Sequence, residues 1–338
     1  MRLLLLLLTL GWATFSYSVT VSGLYRVSVP VADQTSDSRS QAAALAFDKV
    51  LIKVSGTGEV LQNDMLQSAR SKAESYISSL RYERDAETSE LSLVVEFMAM
   101  PLQKLLETSG APVWGSSRPL TALWLVEDTE NERTAVSLEN DLWAAVVSDA
   151  MAERGVPVLY PAWDLDDEIA LSLPQLWGLF EDDIAKANER YSSDGYLAGR
   201  ILGVGDEFSF AGYAQFGEER LPLQTRVATA EELASWLSSQ LAEHLSSRYA
   251  VIALPEELAA GGHIIRISGV NTFPAYRGLV DYLSSHVAIR GTRVLSVQGE
   301  VVTLSLDTLS SWAQAWDVLA LDKKLAETEE AGSYVWLP

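Results

Sequence analysis

Residues 120–126 constrain the fold more than any other segment, because they read Leu-Thr-Ala-Leu-Trp-Leu-Val with almost no polar interruption. A strand this apolar is typical of a sheet that is covered on both faces. Helical apolar stripes follow it at residues 136–154 and 173–191. Further strand patterns lie at 196–202, 208–213 and 223–227, and Thr229 opens a capping box for a last long helix. Residues 120–254 therefore predict a layered α/β middle module.

A smaller module is predicted on each side of this one. Residues 19–110 predict an α+β unit with a strand over 24–31, a helix that ends at Gly56, a second helix over 60–80, a hairpin over 81–97 and a short helix from Pro101. Residues 263–338 read strand, helix, hairpin, helix, strand, which is the βαββαβ order of a ferredoxin-like module. In this module Trp312, Trp316 and Leu319 are expected to be buried against the first helix. The fold class is therefore α/β and α+β in three small modules.

Two short segments separate the modules. Residues 111–119 contain two prolines, a glycine and two serines, and residues 255–262 contain a proline and two glycines. Such composition is typical of linkers. Trp114 in the first segment and Trp163 in a loop of the middle module are the two tryptophans for which exposure in a binding site is considered.

The first eighteen residues predict a signal peptide. Arg2 is followed by six leucines, and Ser16 and Ser18 place small residues where a signal peptidase requires them for a cut after Ser18. An uncleaved anchor is the alternative, but the apolar run is short against the roughly 20 residues of a membrane-spanning helix. We expect a soluble mature chain that begins at Val19.

The compartment is inferred from two missing features. None of the five asparagines lies in an N-x-S/T acceptor motif, and the chain has no cysteine. A eukaryotic secreted protein of this length would usually carry both acceptor sites and disulfides. We therefore expect a bacterial protein that is retained in the periplasm.

Composition also narrows the chemistry. Without cysteine there is no thiol nucleophile, Cys-ligated zinc or iron–sulfur cluster. A net charge of −21 makes nucleic acid an unfavourable partner. No G-x-S-x-G elbow is present, and the glycines at 199, 203 and 205 fit neither a P-loop nor a dinucleotide fingerprint. The sequence thus predicts no cofactor, and it makes an enzyme less favoured than a binding protein.

An acidic run at residues 164–168 is the best metal candidate, but it does not fit a calcium loop. A loop that starts at Asp164 would need glycine at its sixth position and glutamate at its twelfth, where the chain has Ile169 and Gln175. A solvated loop before a helix N-terminus, where carboxylates are favoured, is the preferred interpretation. No metal ligand and no catalytic residue is therefore assigned.

The acidity is concentrated in the middle module. Residues 120–254 carry 8 Lys+Arg against 24 Asp+Glu, a net charge of −16 out of −21 for the whole chain. Charge far from zero keeps a protein dispersed, which is one explanation. The other is a surface for a basic envelope protein, and the residues predicted to form it are Trp163, Asp164, Asp166, Asp167, Glu181, Asp182 and Asp183.

Several motifs resemble a known family. The runs Tyr25-Arg-Val-Ser-Val-Pro-Val and Arg154-Gly-Val-Pro-Val-Leu-Tyr-Pro-Ala-Trp-Asp164, and the run from Tyr191 through Gly199-Arg200, resemble an uncharacterised proteobacterial exported family, domain of unknown function 2066. That resemblance implies an exported protein and carries over no catalytic residue. The element order of the middle module is also similar to envelope assembly proteins, such as outer-membrane activators of peptidoglycan synthases and a flagellar basal-body accessory protein.

Two functions therefore compete. The first is a non-catalytic periplasmic accessory or scaffold protein that binds other envelope proteins. The second is a periplasmic hydrolase with a carboxylate-based site, because the separation of two carboxylates is a tertiary quantity that spacing does not reveal. A pocket with two close carboxylates, or an acid–histidine pair, would favour the hydrolase.

Overall fold

The computed structural model describes residues 20–86, 88–129, 132–139, 142–254 and 262–337. The predicted signal peptide (1–18) and most of the predicted linker over 255–262 lie outside the described residues. The described chain is a mixture of helices and sheets in three successive groups, as the sequence predicts.

The first group is a three-stranded antiparallel sheet with helices. It contains β1 (Arg26–Pro30), α1 (Ser36–Ser55), α2 (Asp64–Arg70), β2 (Ile77–Arg84), β3 (Leu91–Phe97) and α3 (Ala99–Thr108), in the strand order β1-β3-β2. The predicted end of the first helix is confirmed, since Gly56 has a left-handed φ of 83° and its N–H bonds the Ile52 carbonyl. The predicted helix over 60–80 is wrong. Asn63 caps a separate short helix there, and residues from Ile77 onward pair with β3 instead.

The second group is a six-stranded mixed sheet with helices on both faces. Its elements are β4 (Thr121–Asp128), β5 (Arg133–Ala135), α4 (Leu142–Arg154), β6 (Val158–Leu159), α5 (Leu165–Ala170), α6 (Leu173–Trp177), α7 (Glu181–Asn188), β7 (Gly195–Val204), β8 (Glu207–Phe216), β9 (Glu219–Val227) and α8 (Ala230–Tyr249). Strands β6 and β7 run parallel to β4, and β7, β8 and β9 form an antiparallel meander. Helices α4 and α8 cover one face, and α5 to α7 pack on the other. The middle strand β4 is buried on both sides, which confirms the prediction from residues 120–126.

The predicted helix over 173–191 is interrupted. Helices α6 and α7 are separate, because the chain turns at Leu179 with a φ of 53°. Phe180, expected on the buried stripe, is 56% exposed. A periodic apolar pattern alone therefore overestimated the length of this helix.

The third group is a five-stranded sheet with two helices. It contains β10 (His263–Ser268), α9 (Phe273–Ser285), β11 (Ile289–Gln298), β12 (Val301–Thr308), α10 (Trp312–Leu321), β13 (Leu325–Glu327) and β14 (Ser333–Trp336), in the order β11-β12-β10-β14-β13. Strand β12 separates β10 from β11, which is the predicted split βαβ arrangement. One strand differs in direction: β14 is parallel to β10, because the additional strand β13 reverses the chain before it. Leu279, Leu283 and Leu319 are buried together as expected, whereas Trp312 and Trp316 are only half-buried.

The segments between the groups are packed rather than extended into solvent. Val113 and Val251 exchange two backbone hydrogen bonds of 2.8 and 2.9 Å. The Leu254 N–H then donates to the Leu309 carbonyl, and the Leu309 N–H donates to the Ala288 carbonyl. We call these five residues, which bring the three groups together, the inter-module joint. Apolar side chains around it, including Val287 and Val318, bury the contact.

Arg118 fixes the first two groups to each other. Its side chain is fully buried and makes five hydrogen bonds of 2.8 to 3.1 Å, all to backbone carbonyls, those of Lys53, Trp114, Gly115, Arg154 and Gly155. Lys53 and Arg154 belong to the last turns of α1 and α4, where unpaired carbonyls carry partial negative charge. The guanidinium also lies 3.8 Å from the centre of the Trp114 ring. Trp114 is fully buried, so the exposure in a binding site that was considered for it is wrong.

Candidate functional site

The seven residues predicted to meet a partner lie on or beside α5 and α7. Asp164 is the N-cap of α5 and accepts the Asp167 N–H, and Asp166 and Asp167 occupy its first turn. Glu181, Asp182 and Asp183 form the first turn of α7. Both acidic runs therefore sit at helix N-termini, where the backbone dipole favours carboxylates.

Asp167 is a structural residue rather than a surface residue. It is 1% exposed, and its carboxylate accepts hydrogen bonds from the Trp163 N–H, from Arg190 Nη1 and from the Tyr191 hydroxyl. Burial, together with the bond to Asp167, raises the pKa of Tyr191 to about 12. These three donors hold Asp167 below the surface, so of the predicted partner residues it is one that the fold itself uses.

Asp164 and Trp163 are also committed to internal contacts. Both oxygens of Asp164 accept from Arg190 at 2.6 Å, and this pairing holds the pKa of that carboxyl well below its usual range. Trp163 is half-buried, with its ring in an edge-to-face contact 5.5 Å from that of Trp124. Both side chains are therefore engaged within the chain, although about half of the Asp164 side chain is exposed to solvent.

The exposed acids form a smaller set than predicted. Asp166, Glu168 and Asp182 are exposed, and within the described part of the chain none has an ion-pair partner within 4.0 Å. Asp183 is half-buried and accepts from Gln175 Nε2 at 2.8 Å. Glu181 is exposed but ion-paired with Arg220, whose guanidinium lies 4.1 Å from the centre of the Tyr213 ring.

An open pocket of about 380 Å³ lies along α7. Its polar lining includes Glu181, Asp182, Asn188, Asp194, Tyr196 and Gln215. Asp194 accepts the Leu120 N–H at 2.9 Å and pairs with Lys323 at 3.0 Å, so a residue of the third group contacts a residue that lines this pocket. Sequence reasoning found Glu181 and Asp182 and missed the rest. Asp194 and Tyr196 lie in a run that carried only a family resemblance, and Gln215 belongs to no motif.

The three histidines occupy different environments. His244 Nε2 lies 3.7 Å from the half-exposed Glu219, and the His263 ring lies 5.3 Å from that of Trp312. His286 is buried, with Nε2 3.7 Å from Asp322 Oδ2. Over the described ranges no group of three or more His, Asp or Glu side chains is arranged to hold a metal ion. In the same part of the chain, no helix has the length and apolar character to cross a membrane.

The comparisons with known proteins concern the first group alone. Residues 18–115 match the family described as Domain of unknown function (DUF8605). The resemblance to domain of unknown function 2066 was therefore wrong, since the matching family is a different one. No curated protein and no solved structure matches the chain. The similarity of the middle module to envelope assembly proteins thus has no homologue behind it.

Proposed function

We propose that this chain is an exported, non-catalytic accessory protein, and that its middle module binds a basic region of another protein of the bacterial envelope. The observation that carries the proposal is the placement of charge. A net −16 falls within residues 120–254, and Asp166, Glu168 and Asp182 are exposed there without cationic partners among the described residues. Uncompensated charges of one sign attract an oppositely charged surface and speed its encounter.

The pocket supports this proposal more than it supports a hydrolase, because the acid–histidine pairs His244–Glu219 and His286–Asp322 lie outside its lining. Two carboxylates of its lining already have cationic partners, Glu181 in Arg220 and Asp194 in Lys323. A catalytic carboxylate must instead be within reach of a substrate atom. Asp182, also in the lining, has no ion-pair partner within 4.0 Å among the described residues, so it is the carboxylate of this pocket that suits a lysine or arginine side chain of a partner.

The test compares two triple variants of the full mature chain. In D166N/E168Q/D182N the three exposed acids of the proposed surface are neutralised. In D149N/D206N/E218Q three other exposed acids of the same module are neutralised, so the change in net charge is identical. Envelope proteins are cross-linked to each chain in intact cells, and the captured proteins are compared at about 0.1 and 1 M salt, where the Debye length falls from ~10 to ~3 Å.

The proposal expects one captured protein to be lost in the first variant, retained in the second and weakened by salt. Equal loss in both variants, or capture that resists salt, would show that the acidity serves only to keep the protein dispersed. Cell fractionation in the same experiment tests export, because a chain that retains Met1 in the cytoplasm contradicts it.

A further inference from the structure

His286 lies where the third group meets the other two. It follows the last turn of α9 and immediately precedes Val287 and Ala288. Val287 packs against the core of the first group, and a Cβ placed at Gly115 would lie only 2.6 Å from Val287 Cγ1. Ala288 is fully buried, and its carbonyl accepts the Leu309 N–H within the inter-module joint. A change at His286 therefore acts next to the surface by which the third group docks.

The geometry of the imidazole defines its protonation state. Nδ1 accepts the Ala288 N–H at 3.3 Å, so the neutral ring carries its proton on Nε2. Nε2 is buried without a hydrogen-bond partner, at 3.7 Å from Asp322 Oδ2. The side chains of His286 and Asp322 are 5% and 7% exposed. This distance is beyond hydrogen-bond range but close enough for charges to interact.

Other charged and titratable groups around this pair are few. Tyr282, on the same helix, has its ring 5.7 Å from the imidazole, and Lys324 Nζ lies 5.1 Å from the centre of the Tyr282 ring. Lys323, next to Asp322, is directed to Asp194 of the middle module. On the side of the first group, Val287 meets a glycine, which brings no charge.

Burial opposes a positive charge at this position. It lowers the pKa of His286, and the neighbouring Asp322 carboxylate offsets this only in part. An exposed histidine titrates near 6.5. A form in which opening of the joint exposes His286 to water would bind the proton better, and docking would then weaken as the pH falls below about 6.5.

We propose that protonation of His286 loosens the docking of the third group, so that the inter-module joint opens in mildly acidic conditions. The second proton must go to Nδ1, which then no longer accepts the Ala288 N–H. The buried Ala288 N–H is then left unpaired. The imidazolium of His286 lies 3.7 Å from the Asp322 carboxylate, its only close counter-charge among the described residues. This inference is independent of the identity of any partner.

Hydrogen–deuterium exchange of the full mature chain tests the proposal directly. The probes are the backbone amides of Val113, Val251, Leu254 and Leu309, which are bonded within the inter-module joint. After correction for the intrinsic exchange rate, their protection should fall about tenfold between pH 7.5 and 5.5, as the release of one suppressed protonation requires. In H286N the asparagine oxygen still accepts the Ala288 N–H but does not titrate, so protection should be independent of pH.

H244N is the matched control, because His244 also has Nε2 3.7 Å from a carboxylate, that of Glu219, but in a more exposed position on α8. It should keep the pH dependence of the natural chain. Protection that does not change with pH in the natural chain, or the same dependence in H286N, would overturn the proposal. Should H286N fail to fold, histidine-labelled NMR decides: with three histidines in the chain, a His286 midpoint at or above 6.5 would refute it.

Discussion

Arg118→Met should reveal how strongly one side chain holds the first two groups together. Methionine keeps a similar length and removes all five hydrogen bonds, those to the Lys53, Trp114, Gly115, Arg154 and Gly155 carbonyls. A bond to a charged group contributes about 1.5–3 kcal/mol, so five would exceed 7 kcal/mol if they simply added. Burying the guanidinium costs several kcal/mol, a penalty visible in its pKa, which burial lowers to about 9. We therefore expect a net loss of about 3–5 kcal/mol, the range for breaking a buried charged network.

The assay is equilibrium unfolding in urea, followed by tryptophan fluorescence, because Trp114 lies against the Arg118 guanidinium. Arg118→Lys should lose stability too, but less than Arg118→Met, since an ammonium keeps the charge and three donors but lacks the planar fork. Arg248→Met is the control, because that arginine is 41% exposed and pairs with the surface Glu219, for which less than about 1 kcal/mol is expected.

The shape of the transition is as informative as its midpoint. If Arg118 couples the two groups, the natural chain should unfold in one transition over this region, and the methionine variant should show two. A loss below about 1 kcal/mol with an unchanged single transition would refute the reasoning, because it would mean that water or other donors satisfy these carbonyls equally well.

The elements that sequence predicts best are those whose local pattern decides their environment. The apolar run at 120–126 does become a strand buried on both faces, and Gly56 does end α1 in a left-handed conformation. These outcomes depend on side-chain hydrophobicity and on the absence of a Cβ, which are properties of the residues themselves. The split βαβ order of the third group also followed from its pattern.

Segment 111–119 shows where such reasoning stops. Its proline, glycine and serine content predicts a linker, yet its Trp114 and Arg118 are among the most buried large side chains of the chain. The carbonyls that receive Arg118 come from helix ends 36 and 65 residues away in sequence. No local composition signals that two helices end at the same point in space.

In the candidate site, too, the local capping positions were predictable and the tertiary contacts were not. The position of Asp164 and Asp166 before and within a first helical turn follows from capping preferences. The burial of Asp167 does not, because it depends on Arg190 and Tyr191, which lie more than 20 residues further along the chain. The acids that remain exposed could be separated from the buried one only after the fold was known.

Two further substitutions test the packing. Gly56→Ala should cost more than about 2 kcal/mol, because a Cβ there would lie 2.2 Å from that of Ser246 at a φ of 83°, whereas Gly58→Ala, with open space, should be nearly neutral. Trp316→Ala tests the third group. A fully buried tryptophan would cost about 3–5 kcal/mol, but the half-buried ring should cost about 1–3 kcal/mol. Leu319→Ala, at a fully buried position on the same helix, should cost about 2–5 kcal/mol, more than the loss expected for Trp316→Ala. Thermal unfolding of the two variants ranks them, and a larger loss in Trp316→Ala would show that Trp316, and not Leu319, anchors α10 to its sheet.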